Sequence, residues 1–342
     1  MKRKTPRKRL TFIVFCSIWA WGSGLLWVGM TAPPRIAPDR VVRLNVTPDT
    51  PANALIAELR SQGVIRSGWG MRLWLKLSGQ NFQAGTYDFS SEQSLVEVVK
   101  QLDRAVVATN QVTIPEGWTI EDMGAHFARL GYFSSAEFKA ATTRATAGYF
   151  PQWLPQEIET LEGFLFPDTY ELPLQGATPQ DVVKMMTDRF AEVALPAYKE
   201  GNKTRLSLKD WVTLASIVER EAVLESERPT IAGVFWQRLQ KNMRLESDPT
   251  VEYGLKISQT PENPLTLAQV RTPNPFNTYL NYGLPPHPIG SPGLASLKAT
   301  LAPPPTDFLY FVARYDGSHV FSRTLREHEQ AIEVIAKQFS GQ

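Results

Sequence analysis

The chain is 342 residues long with 36 basic and 34 acidic residues, and six of the basic ones fall within the first nine positions. The remainder carries 30 basic against 34 acidic residues, a balance that argues against a nucleic-acid partner, which calls for a basic face. With Cys16 as the one cysteine, the fold rests on a packed core or a partner rather than on disulfide staples.

Residues 1–9, Met1-Lys2-Arg3-Lys4-Thr5-Pro6-Arg7-Lys8-Arg9, form a basic tail. Residues 10–30 carry no charge and include Phe12, Ile13, Val14, Trp19, Trp21, Leu25, Leu26 and Trp27. About 20 apolar residues cross a bilayer as a helix, and a basic flank stays on the cytoplasmic side. The pattern predicts a single-pass transmembrane helix over 10–30, with the N-terminus cytoplasmic and everything that follows outside. A cleaved signal peptide is the rival reading. The run is longer than a signal core, and Ala32-Pro33-Pro34 is a poor cleavage site. Residues 31–39 are Pro-rich and read as a short stiff spacer.

Two segments then look alike. Leu44-Asn45-Val46-Thr47-Pro48 leads into a helical run through Leu55, Ile56 and Leu59 that ends at Gly63-Val64-Ile65. Val112-Thr113-Ile114-Pro115 leads into Ile120, Met123 and Phe127, ending at Gly131-Tyr132-Phe133. Each predicts a strand, a turn and a helix closed by a glycine C-cap. Such units resemble LysM-type carbohydrate-binding modules; two ordinary α+β units fit the pattern equally well. Between them, Gly85-Thr86-Tyr87-Asp88-Phe89 alternates like an edge strand, and Leu95, Val98, Val99 and Leu102 recur at helical spacing. Residues 40–110 thus read as a membrane-proximal α+β module and 111–150 as a LysM-like module.

The most informative segment is Leu161-Glu162-Gly163-Phe164-Leu165-Phe166-Pro167-Asp168-Thr169-Tyr170. One carboxylate stands among large apolar and aromatic side chains. Apolar surroundings disfavour its ionised form and raise its pKa, as a general acid working near neutral pH requires. Asp168 is a candidate second carboxylate, although Pro167-Asp168-Thr169 also suits a turn or cap.

From residue 178 onward the chain reads as helical. Thr178-Pro179 is an N-cap followed by proline at the first helical position. The helix 208–223 is apolar almost all round, which predicts burial, yet it carries Glu219 and Glu221 with Arg220 between. Buried carboxylates need partners or a chemical role. Either these two pair with arginines at an exposed end, or one of them lines a cleft. Pro229 opens another helix, ending near Asn242. Leu245-Glu246-Ser247-Asp248-Pro249-Thr250-Val251 turns into a short strand or helix. Asn274 to Pro286 reads as a rigid aromatic loop, 291–302 as a helix, and 308–313 as a buried strand turned back at Gly317 into a hairpin.

The order of these motifs resembles the endolytic murein transglycosylase (YceG-like) family. The matching pieces are Leu161–Tyr170, Ala215-Ser216-Ile217-Val218-Glu219-Arg220-Glu221, Ile231-Ala232-Gly233-Val234-Phe235 and Ser247-Asp248-Pro249-Thr250-Val251. They continue with Phe276-Asn277-Thr278-Tyr279, Gly283-Leu284-Pro285-Pro286, Ser291-Pro292-Gly293 and Tyr310-Phe311-Val312-Ala313. One departure is His287, where a small residue is expected; it brings an extra titrating group to the cleft rim. The resemblance implies an enzyme that cleaves the β-1,4 bond between N-acetylmuramic acid and N-acetylglucosamine and leaves 1,6-anhydro ends. It places the family's catalytic acid on Glu162. It also implies an inner-membrane protein with a periplasmic catalytic part. Its partners would be peptidoglycan strands and the synthases that make them, and it would set where strands terminate. The fold class expected is α+β: the N-terminal transmembrane helix, small LysM-like α+β modules, and a larger, mostly helical catalytic domain over 151–342 with a short β-hairpin.

Most glycosidases need two carboxylates. A lytic transglycosylase manages with one, because the substrate's own C6 hydroxyl attacks the anomeric carbon. Asn277 and Tyr279 are candidates for binding acetamido groups or developing charge, and Asp168, Glu219, Glu221 and Asp248 for other substrate contacts. Trp118, Trp153 and Tyr170 are either sugar-stacking platforms or core. No cofactor is implied. His126, His287, His319 and His328 lack metal-ligand spacing, and there is no Gly-rich phosphate loop or Gly-x-Ser-x-Gly elbow. A non-catalytic glycan-binding scaffold and a water-using muramidase with Asp168 as second carboxylate remain as alternatives.

Overall fold

The computed structural model describes residues 41–47, 50–78, 82–83, 85–90, 92–103, 109–173, 176–260, 263–314 and 316–340. The expected transmembrane helix and spacer lie outside them. No helix among the described residues is long and apolar enough to cross a membrane. The protein is α+β and mostly helical, with small two-stranded sheets. The described residues divide into two compact units, with the boundary between 109 and 110.

In the first unit β1 (Val41–Val46) pairs antiparallel with β2 (Gly85–Ser90), Val42 opposite Phe89 and Leu44 opposite Tyr87. Helices α1 (Ala52–Ser61) and α2 (Gly68–Ser78) lie between the strands in sequence, and α3 (Leu95–Asp103) follows. Leu95, Val98, Val99 and Leu102 of α3 are all buried, the stripe that their spacing predicts. Their core partners include Leu55, Leu59, Met71, Tyr87 and Phe89. Helix α1 ends where Gly63 takes φ 74° and Val64 N–H donates to the Leu59 carbonyl at 2.9 Å. The left-handed residue closes the last turn, which favours glycine.

The second unit opens with β3 (Thr109–Thr113), α4 (Ile120–Arg129) and α5 (Ser135–Ala141), and β4 (Thr169–Pro173) returns beside β3. Helix α4 ends as α1 does: Gly131 has φ 79° and Tyr132 N–H donates to the Phe127 carbonyl at 3.1 Å. Both units therefore begin with strand, helix, helix, strand. In the second, residues 142–168 are inserted before the return strand, and Glu162 is among them.

Helix α6 (Pro179–Gly201) starts at the Thr178 N-cap with Asp181 completing a capping box. Helix α7 (Leu208–Glu221) is the buried axis of this unit, with every residue from Trp211 to Val218 buried. Burying each of its large apolar side chains contributes about 1.5–3 kcal/mol. The polar atoms of α7 are satisfied: Trp211 Nε1 donates to the Leu297 carbonyl at 2.9 Å, and Ser216 Oγ donates to the Thr213 carbonyl at 2.8 Å. Against it pack α8 (Arg228–Gln240), α9 (Asp248–Leu255) and, after the short α10 (Leu267–Val270) that packs on α9, α11 (Leu294–Leu301). Helix α11 starts later than the predicted residue 291. Ser291 N–H donates to the Trp118 carbonyl at 2.8 Å and its carbonyl accepts from Gly117 at 2.7 Å, which holds it extended. The predicted hairpin is present as β5 (Tyr310–Ala313) paired with β6 (His319–Ser322). Its first strand is half-buried rather than buried, as a two-stranded ribbon with one covered face requires. Helix α12 (Leu325–Ser340) follows.

Candidate active site

Glu162 is held by the chain on both sides of it. Leu161 N–H donates to the Thr142 carbonyl at 2.9 Å, and Leu161, Phe164 and Leu165 are fully buried in the core. Gly163 has φ 84°, and a Cβ there would stand 2.4 Å from Pro288 Cβ. Only glycine lets the chain turn here against Pro288. The apolar run is thus an anchor, and the carboxyl it carries lines a cleft of about 770 Å³ in the second unit.

The Glu162 carboxyl is 4% exposed and has two donors. Ile120 N–H reaches Oε1 at 3.1 Å and Oε2 at 3.3 Å, and the Tyr253 hydroxyl donates to Oε2 at 3.0 Å. Ile120 is the first residue of α4. The Thr119 hydroxyl caps Asp122 N–H at 3.1 Å, and the Asp122 carboxylate accepts from Thr119 N–H at 2.9 Å. This capping box leaves the Ile120 N–H free to point at Glu162. Both donors, and the charge of Arg220, favour the carboxylate. Burial opposes them and wins, with the Asp122 charge adding to it, so the Glu162 pKa is pushed up to about 8. Glu162 is a protonated acid at neutral pH, with two hydrogen bonds waiting for it once it has lost the proton.

The sequence motifs explain how Tyr253 arrives there. Ser247 N–H donates to Thr278 Oγ1 at 3.0 Å, Thr250 and Thr278 hydroxyls meet at 2.9 Å, and the Tyr279 hydroxyl donates to Asp248 at 2.6 Å. These contacts pin the start of α9, and Tyr253 lies one turn further along it. The far end is packed as closely: a Cβ on Gly254 would lie 2.4 Å from Asn274 Oδ1, and Asn274 Nδ2 donates to the Gly254 carbonyl at 2.8 Å. Tyr253, Phe276 and His287 form an aromatic wall, with ring centroids 4.9 Å (Tyr253–Phe276) and 4.7 Å (Phe276–His287) apart. His287 Nδ1 donates to the Pro288 carbonyl at 2.7 Å, and burial lowers its pKa, so the ring is neutral.

The other candidates lie elsewhere. Asp168 pairs with Arg189 at 2.8 Å and accepts from Thr169 N–H at 2.8 Å, tying β4 to α6. Glu219 pairs with Arg228 at 2.9 Å and accepts from Gly293 N–H at 2.9 Å. Its side chain is 6% exposed, so the arginine pair is buried rather than at an exposed end. Glu221 accepts from Ser247 Oγ at 2.6 Å, and burial pushes its pKa up to about 7. Asn277 is 1% exposed and spends its amide on the Val270 and Thr272 carbonyls at 2.8 and 3.0 Å. None of these, nor Asp248 or Tyr279, lines the cleft. Trp153 stacks on Phe190 at 5.7 Å in the core, the Tyr170 hydroxyl donates to the Phe166 carbonyl at 2.5 Å, and Trp118 packs edge-on to His126; none is a cleft platform.

The cleft instead gathers residues that sequence reasoning did not single out: Tyr253, Glu252, Asn274, Lys139 and Lys256, along with Arg220, the cation between the two glutamates. Arg220 stands 3.4 Å from Glu252, whose other oxygen accepts from Gln259 N–H at 2.7 Å. Among the described residues, no group of three or more His, Cys, Asp and Glu side chains is placed to hold a metal ion.

The model of the YceG-like family matches residues 44–334. The chain belongs to that family. It is 30% identical over 305 residues to the endolytic murein transglycosylase of Bacillus subtilis strain 168, covering 85% of this chain and 84% of that one. It is 25% identical over 360 residues to the endolytic murein transglycosylase of Streptococcus pneumoniae serotype 2 strain D39, covering 94% of this chain and 64% of that one. A crystal structure of a yceG-like protein from Listeria monocytogenes aligns with a TM-score of 0.57 at 27% identity, over 85% of this chain and 99% of that one.

Proposed function

We propose that this YceG-like chain is an endolytic lytic transglycosylase of peptidoglycan, with Glu162 as its acid and base. The observation that carries the role of Glu162 is the buried carboxyl itself, lifted to about 8 by burial and facing a cleft with two hydrogen-bond donors on it. The names of the relatives supply the substrate class.

The reaction needs no water. Protonated Glu162 gives its proton to the leaving glycosidic oxygen of the N-acetylmuramic acid to N-acetylglucosamine bond. As a carboxylate it then accepts the proton of the C6 hydroxyl, which attacks the anomeric carbon and closes the 1,6-anhydro ring. Ile120 N–H and the Tyr253 hydroxyl stabilise the carboxylate between these steps. Burial raises the Tyr253 pKa far above neutrality, so its hydroxyl keeps its proton throughout. That Asp168, the second carboxylate of the hydrolytic alternative, pairs with Arg189 and does not line the cleft supports the one-carboxyl reading.

Residues 10–30 anchor the enzyme in the inner membrane, N-terminus inside and catalytic part in the periplasm. The support is the uncharged run behind six cations. Residues 40–110 form a membrane-proximal α+β module and 111–150 a glycan-binding LysM-like module; the strand–helix–helix order that both share supports that reading. Cleavage beside the synthases terminates new strands.

The test compares full-length wild type and Glu162→Gln, in detergent, on purified uncrosslinked glycan strands. Wild type shortens the strands and Glu162→Gln does not. Equal cleavage by both removes Glu162 from the mechanism. Binding without cleavage by either makes the protein a scaffold.

A further inference from the structure

The charged groups of the cleft are nearly all partnered. Glu121 pairs with Lys256 at 3.0 Å, Glu252 with Arg220 at 3.4 Å, and Asp122 caps α4. Lys139 is the exception: it lines the cleft, it is exposed, and its ammonium has no hydrogen bond or ion pair among the described residues. The backbone of Lys139 is tied to the Glu162 segment. Lys139 lies on α5, and its carbonyl accepts from the Thr142 and Thr143 hydroxyls at 2.9 and 3.0 Å. Thr142 in turn accepts from Leu161 N–H, Thr143 bridges to Thr160, and Thr160 Oγ1 accepts from Glu162 N–H at 3.3 Å. The Lys139 backbone therefore lies about one helical turn, roughly 5 Å along α5, from the residues bonded to the Glu162 segment, and its side chain lines the same cleft as Glu162.

A cation in the same cleft as the acid, with no acidic partner of its own among the described residues, suits an anionic group on the strand being cut. Where a stem peptide is attached, the muramic carboxyl is tied up in its amide bond, so the carbohydrate there is neutral and the charges sit on the peptide. The geometry points to Lys139 as a specificity residue that pairs with a stem-peptide carboxylate on the muramic residue beside the scissile bond, an inference that rests on the proposed peptidoglycan reading. The enzyme then prefers strands whose stem peptides keep their carboxylates.

The probe is a pair of strand preparations of equal length, one with native stem peptides and one with their carboxylates converted to neutral amides. Full-length wild type is expected to favour the native strands by roughly three- to fivefold in kcat/KM, the size of an exposed ion pair, mostly through KM. Raising the salt concentration shrinks that ratio. Lys139→Ala brings it to about one and Lys139→Glu inverts it, whereas Lys139→Arg keeps it. The same ratio is read as strand-binding affinity in a Glu162→Gln background, so failure of the cleavage reading does not mask the result. A wild-type ratio of one, or a ratio unchanged in Lys139→Ala, overturns the assignment.

Discussion

The Tyr253 hydroxyl donates to Glu162 Oε2 at 3.0 Å across 91 residues of chain. This bond favours the carboxylate, and it works against the burial that keeps Glu162 protonated. The site is a balance between the two: protonated at rest, yet ready to be a base once the proton has gone.

That balance sets the pH profile. As pH rises through about 8, Glu162 ionises and kcat/KM falls. Tyr253→Phe removes a donor that lowers the pKa, so the alkaline limb moves to higher pH. It also leaves the carboxylate with one donor fewer in the second step, and kcat drops by roughly tenfold or more, as loss of a hydrogen bond to a charged group implies. A pH series of kcat/KM for both proteins reads the two effects separately. A limb that moves down in Tyr253→Phe contradicts the balance.

The raised pKa also has a cost in stability. A carboxyl whose folded pKa lies above its unfolded value stabilises the folded state fully only below the unfolded pKa of about 4.5, and the contribution is lost as pH rises towards 8. Glu162→Gln removes this loss. The variant is expected to be more stable than wild type at pH 8, by at most about 4 kcal/mol, with the advantage vanishing near pH 4. Denaturant melts at the two pH values measure it.

Gly163 leaves no room for a side chain. With φ 84° and Pro288 Cβ 2.4 Å from the nearest Cβ position, Gly163→Ala combines left-handed strain with overpacking, for a loss of about 3 kcal/mol. Unfolding by denaturant shows this directly, and the cleft collapses with it.

Asp168→Asn separates the transglycosylase from a hydrolase. The Asp168–Arg189 pair is more than a third exposed on both sides, so its loss costs under about 1 kcal/mol. Strand cleavage proceeds at the wild-type rate. A severe loss of cleavage with folding intact puts Asp168 in the chemistry.

The sequence was legible where chemistry is local. Glu162 stood out because its neighbours are apolar, and the structure shows those neighbours buried around it. The α3 stripe and the Thr178 cap followed from spacing and turn chemistry. Partners brought in from afar were not legible. Tyr253 is an unremarked tyrosine on a short helix until α9 is pinned by Ser247, Asp248 and Thr250 against Thr278 and Tyr279. Asn277 and Tyr279 carry polar groups that suit a sugar equally well, but the aromatic loop needs them to satisfy its own backbone and Asp248. Glu219 and Glu221 flank Arg220 at the end of a helix and bind different partners, Arg228 and Ser247, outside the cleft.

One carboxyl suffices in this site because a substrate hydroxyl replaces water. Digesting purified strands with the full-length enzyme in heavy-oxygen water, and weighing the products, tests it most directly. Anhydro-ended products that carry no heavy oxygen are expected. Reducing ends labelled with heavy oxygen would contradict it and make the enzyme a hydrolase.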